Sequence, residues 1–142
     1  MPASRKPLLL ASVALVVLGS GAGSQGMVTY TQAQADRGHA VYERACTSCH
    51  AADLHGDENA EVPALVGENF DRSWRGEPLS ALFDKASKTM PADRPGALTP
   101  AEYADIIAYL LQANRAPAGS DELHPDPAAL RAVIPPLAQR TP

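Results

Sequence analysis

Cys46-Thr47-Ser48-Cys49-His50 places two thiols and an imidazole within five residues. Two cysteines separated by two residues and followed at once by histidine form the pattern of covalent haem c attachment. Each thiol adds to one vinyl group, and the next residue's imidazole then lies under the iron. Cys46 and Cys49 are the expected thioether anchors of one haem c, and His50 its expected proximal iron ligand. Zinc would use both cysteines with two histidines, and Cys-x-x-Cys is also a thiol redox motif. A zinc finger carries a second ligand pair at a set spacing, and none is found. The redox motif belongs near a βαβ pattern, whereas this neighbourhood reads as helical. These are the only two cysteines in the chain.

Iron bound by one histidine has a second face, which methionine, histidine, water or nothing can occupy. Beyond residue 26 the only methionines are Met27 and Met90. Met27 precedes the first helix. Met90 lies 40 residues beyond His50, in a loop fixed by Pro91, and is the expected distal ligand. The alternative is a core methionine filling a gap at a helix end. His55 is too near the proximal ligand to cross to the opposite face, and His39 and His124 read as surface residues. Met/His ligation leaves the iron only electron gain and loss, and raises its potential. An open site would permit peroxide or gas chemistry instead.

These groups must be positioned by helices. Residues 30–45 form the first, with Thr31 as N-cap, Gln34 completing a capping box, and Gly38, Val41, Tyr42 and Ala45 on one face. Gly38 costs a helix about 1 kcal/mol relative to alanine, which close approach of another helix would justify. Residues 51–61 read as a polar loop, and 62–70 as irregular chain broken by Pro63 and Gly67. Leu79, Leu82, Phe83 and Ala86 give residues 78–88 one apolar helical face, with Pro78 in the first turn. Met90 should be extended, because a following proline disfavours the α region. Thr99, Pro100 and Glu102 start a last helix with a capping box. Its face of Tyr103, Ile106, Ile107, Leu110 and Leu111 is expected to pack on the first helix.

The length of 142 residues suits one domain. Only seven residues are Phe, Trp or Tyr, so a buried haem would supply missing apolar bulk. Arg5 and Lys6, the apolar run 8–18 and the small residues 19–26 form a secretory signal pattern. That run is shorter than the roughly 20 residues of a membrane span; an uncleaved anchor is the alternative. The Ala33-Gln34-Ala35 triplet is no cleavage site, being far from the apolar run and inside a helix pattern. The expected organisation is a signal peptide at 1–26, a haem domain at 27–116 and a Pro/Ala-rich extension at 117–142. The extension is expected to be partly ordered, with Leu123, Leu130, Val133 and Ile134 able to lay it across the domain. Loss of Arg5 and Lys6 would leave 10 basic against 16 acidic residues, a net charge of −6. That charge argues against nucleic acid and anionic membrane surfaces as partners.

The chain resembles the class I cytochromes c, and more closely the small bacterial ones that serve periplasmic quinoprotein and alcohol dehydrogenases. The resemblance runs over residues 30–119. It is carried by Gly38 and Tyr42, the Cys46–His50 run, and Val62-Pro63-Ala64-Leu65-Val66-Gly67 with Phe70 and Trp74. It continues through Thr89-Met90-Pro91-Ala92-Asp93-Arg94-Pro95-Gly96 and the stretch 103–111. It implies an all-α class I cytochrome c fold, three to five helices wrapped around one covalent haem c. The first and last helices would cross at Gly38 and near Leu110. By position, Pro63 matches the proline whose carbonyl takes the proton of the ligand histidine's Nδ1. Trp74 matches an aromatic near the haem propionates, or is a core anchor. Arg72 and Arg75 are propionate partners or solvated side chains.

The expected function is a periplasmic monohaem electron carrier, not an enzyme, with no membrane span after signal cleavage. It would run between a dehydrogenase and a terminal oxidase or another carrier, as a monomer or as a subunit of a heteromer. Lys85, Lys88 and Arg94 near Met90 form a possible basic docking rim. The rival readings are a permanently bound electron-transfer subunit of a dehydrogenase, an open-site haem enzyme or gas sensor, and a zinc protein.

Overall fold

The computed structural model describes Met1 and residues 28–136. The signal-sequence reading with Arg5 and Lys6, and Met27, fall on residues outside that range. Among the described residues every regular element is helical, apart from two isolated bridges, Asp57 with Val62 and Pro78 with Val133. The fold is all-α, as expected.

Helix α1 spans Gln32–Ala45. Thr31 is extended and its hydroxyl accepts from the Gln34 N–H at 3.1 Å, which satisfies one orphan donor of the first turn. The expected capping box is only half made. Gln34 is buried, and its amide turns to the C-terminal extension. Nε2 donates to Leu123 O at 2.8 Å, and Oε1 accepts from Leu123 N–H at 2.7 Å.

Helix α2 is the single turn Thr47–His50. Of the irregular chain expected over 62–70, residues 62–66 are irregular, while the rest belongs to helix α3, Gly67–Trp74. Gly67 does not break this segment but opens it, at φ 71°. With Phe70 and Trp74 as its main apolar anchors, eight residues carry too little periodicity to announce a helix. Helix α4, Leu79–Thr89, buries Leu79 and Leu82. Pro78 stands just outside it as an extended N-cap, one position earlier than expected. Met90 is extended at φ −126° and ψ 150°, as a residue before proline should be.

Helix α5, Pro100–Ala113, has the full capping box of Thr99 and Glu102 with Pro100 in its first turn. Its face of Tyr103, Ile106, Ile107, Leu110 and Leu111 is buried. The most extensive helix pair is α1 on α5. Gly38 explains how they approach so closely: a Cβ there would lie 1.8 Å from Asp105 O. The tightest point on α5 is therefore Asp105 and Ile106, about a turn before Leu110. Arg37 braces the crossing from outside, pairing with Asp105 at 3.1 Å and Glu122 at 3.0 Å.

The C-terminal extension shares this core. Leu123, Leu130, Ala132 and Ile134 are all buried within it. Tyr30 donates its hydroxyl to Ala116 O, and Gly119 N–H donates to Tyr30 O at 2.8 Å. Further on, Leu79 N–H donates to Ala132 O at 2.9 Å and Ile134 N–H to Glu77 O at 3.0 Å. The extension thus ties the start of α1 to the α3–α4 connection.

Candidate functional site

Cys46 closes α1 and opens α2, so both thiols and His50 sit on one and a half turns of chain. Cys46 is half-buried and Cys49 exposed, and neither is in a disulfide. Burial, opposed by Arg44, pushes the Cys46 thiol up to about 11. Reactive redox cysteines have lowered pKa values, and Cys46 is shifted the other way. Among the described residues no three His, Cys, Asp or Glu side chains come together as a metal site.

His50 is half-buried, and its Nδ1 lies 3.2 Å from Pro63 O. A carbonyl only accepts, so Nδ1 carries the proton and Nε2 keeps its lone pair. Burial lowers the imidazole below its ordinary value, while the bond to Pro63 acts against that. The neutral ring with one free nitrogen is the form a metal ligand needs. Its orientation comes from the loop after α2. Gly56 N–H donates to His50 O at 3.1 Å, and Leu65 N–H to Leu54 O at 2.7 Å. The Asp57–Val62 bridge then folds the loop back on itself. Gly56 sits at φ 68°, where a Cβ would lie 2.8 Å from Pro63 O and closer still to Val62 O. Only glycine lets the loop bring Pro63 to the imidazole.

Two polar side chains, to which the sequence reading assigned no hydrogen bond, hold this arrangement. Tyr42 Oη, from α1, lies 2.7 Å from Ala51 O and 3.3 Å from His50 O. Asn114, just past α5, is buried and saturated. Its Oδ1 accepts from Gly67 N–H at 2.9 Å, and its Nδ2 donates to Leu65 O at 2.9 Å and Leu110 O at 2.8 Å. The segment bearing Pro63 is thereby fixed to the end of α5. In sequence, Tyr42 shows only as an aromatic on an apolar face and Asn114 only as a helix stop.

Trp74, the last residue of α3, packs against the core and makes no hydrogen bond through its indole N–H among the described residues. Arg75 pairs with buried Asp71, and Arg72 bonds Asn69. Met90 follows α4, half-buried, with its carbonyl accepting from Tyr103 Oη at 2.7 Å. Among the described residues no hydrogen bond links Met90 to the His50 cluster; each is tied to α5 instead. His39 and His124 are exposed, and His55 is exposed beside Asp53.

Two thiols beside an imidazole whose only free nitrogen is Nε2 are the donor set that haem c requires, and the residues fit the group. A family model described as cytochrome c oxidase, cbb3-type, subunit III matches residues 33–110. That is more than half of the chain, from α1 into α5. No curated protein and no solved structure matches. The chain belongs to the family of cytochrome c oxidase, cbb3-type, subunit III, and is a class I c-type cytochrome, an electron carrier on covalently bound haem c.

Proposed function

We propose that this is an exported, periplasmic monohaem carrier moving single electrons from a dehydrogenase to a terminal oxidase or another carrier. The observation that carries the reading is the His50–Pro63 hydrogen bond beside Cys46 and Cys49. Haem c, when bound, supplies a one-electron ferric/ferrous couple. Cys46 and Cys49 would hold it through thioethers, His50 Nε2 on one face of the iron and Met90 Sδ on the other. Trp74 would donate its indole N–H to a propionate. Held by both His50 and Met90, the iron would have no place for a substrate and would only exchange electrons. A thioether opposite an imidazole also raises the potential.

Export is supported by the basic, apolar and small-residue pattern of residues 5–26. No helix among the described residues is long and apolar enough to cross a membrane. Docking would use the surface around Met90. There Lys88 pairs with Asp84 at 2.8 Å and Arg94 with Asp93 at 3.3 Å, while the Lys85 ammonium makes no ion pair among the described residues. Exposed pairs of this kind are weak, so the rim is nearly balanced but adjustable. That suits a small, short-lived encounter.

A second reading is a subunit held permanently in an oxidoreductase complex. The family description, which names an oxidase subunit, and the extension packed along the domain favour it. Both readings are tested on protein purified from its native membrane and soluble fractions. A free carrier appears alone, stains for haem on a denaturing gel and titrates as a single one-electron wave. A second polypeptide in constant ratio to haem would establish the subunit reading. Rapid carbon monoxide binding by the reduced protein would overturn both in favour of an open haem site.

A further inference from the structure

Met90 leaves α4 with both backbone polar groups engaged. Its N–H donates to Ala86 O at 3.0 Å, which only finishes its own helix. Its carbonyl accepts from Tyr103 Oη at 2.7 Å, and that bond comes from a different element, the first turns of α5. Tyr103 is 3% exposed, and its ring meets Phe83 of α4 edge-on, with centroids 6.3 Å apart. Beyond Met90 the loop is held by its own turns, Arg94 N–H to Pro91 O at 2.9 Å and Ala97 N–H to Arg94 O at 3.1 Å. Among the described residues, the phenol is the one hydrogen bond that ties Met90 to α5.

We propose that Tyr103 is a positioning residue that keeps the Met90 thioether at the iron; this rests on the reading of Met90 as the distal ligand. Methionine has three rotatable side-chain bonds, so its sulfur is only as well placed as the backbone that bears it. The phenol fixes that backbone against a helix whose other face is packed on α1. Without the hydroxyl, the Met90 carbonyl loses its protein partner, and the closed loop loses its advantage over an open one. Phenylalanine keeps the ring and its contact with Phe83 while removing only the hydrogen bond. A role in core packing alone would survive that exchange.

The test uses the full-length ferric holoprotein titrated with imidazole, reading the weak near-infrared sulfur-to-iron band that reports methionine on the iron. Tyr103→Phe is compared with wild type and with Tyr30→Phe, which removes a different hydroxyl-to-carbonyl bond, that to Ala116. Loss of one hydrogen bond predicts about tenfold tighter imidazole binding in Tyr103→Phe. Tyr30→Phe is expected to stay within about twofold of wild type, since its bond lies outside the Met90 loop. Unchanged imidazole binding in Tyr103→Phe, or an equal gain in Tyr30→Phe, overturns the assignment while leaving Met90 as ligand. A wild-type protein without the band overturns Met90 as ligand, and Tyr103's role with it.

Discussion

His50 Nδ1 donates to the carbonyl oxygen of Pro63 across 3.2 Å, although 13 residues separate them. The bond sets the tautomer, leaves Nε2 unprotonated and free for a metal, and makes the imidazole a stronger base. Partners of this kind orient a metal-binding histidine and tune the metal it holds. The carbonyl reaches the ring because Gly56 admits the loop and Asn114 anchors the far side of Pro63.

Asn114→Leu should loosen the proximal side. It leaves the part-buried Gly67 N–H and Leu65 O without protein partners and removes three hydrogen bonds, each worth about 1 kcal/mol. Unfolding free energy should fall by about 2–4 kcal/mol in a denaturant titration. In ferrous protein, NMR should show faster solvent exchange of the His50 Nδ1 proton. Unaltered exchange would mean that the Pro63 segment does not depend on Asn114.

Gly38→Ala inserts a methyl group 1.8 Å from Asp105 O, against backbone that cannot swing away. Overpacking of this kind costs about 3 kcal/mol, which outweighs the roughly 1 kcal/mol gained in helix propensity. Thermal unfolding should report clear destabilisation. A raised melting temperature would contradict the α1–α5 contact.

Truncation after Pro117 removes Leu123, Leu130 and Ile134 from the core. Each such side chain contributes about 1.5–3 kcal/mol when fully buried, as an upper estimate. The shortened protein should lose about 4 kcal/mol or more of stability. Release of Glu77 and Leu79 from their bonds to residues 132–134 should show as faster amide exchange at the start of α4. Wild-type stability in the truncated chain would place the extension outside the folding unit.

The Glu102 carboxylate is held below its ordinary value of 4.5, first by the Thr99 N–H, then by the Thr99 hydroxyl, with Arg44 adding to them. A folded-state value below the unfolded one stabilises the protein above about pH 4.5, and that increment disappears as pH falls through the folded value. The cap is partly exposed, so the increment is about 0.5–1 kcal/mol. Wild type should be more stable than Glu102→Gln by that amount at pH 6, with the gap closing towards pH 3. A gap independent of pH would show that the charge contributes nothing.

The haem-binding run was fully legible because its chemistry depends on contiguous residues. Three of the helices, α1, α4 and α5, were legible for a related reason: Thr31, Thr99 with Pro100, and the 79–86 pattern are local signals. Helix α3 was not, since Phe70 and Trp74 take their meaning from a core that other elements build. The extension's apolar residues are scattered among prolines, so the sequence alone predicts only partial order. What orders it is Gln34, a residue 89 positions from Leu123. Tyr42, Tyr103 and Asn114 follow the same logic. A core hydroxyl or amide needs a partner, and the sequence does not say which carbonyl the fold delivers.

The central claim is that Met90 completes the iron's coordination opposite His50. The most direct measurement is the near-infrared absorption of the ferric holoprotein beside Met90→Ala. The account predicts a weak sulfur-to-iron band in wild type that is absent from the variant, together with a lower potential in the variant. A wild-type spectrum without that band, or one that Met90→Ala leaves intact, would contradict it.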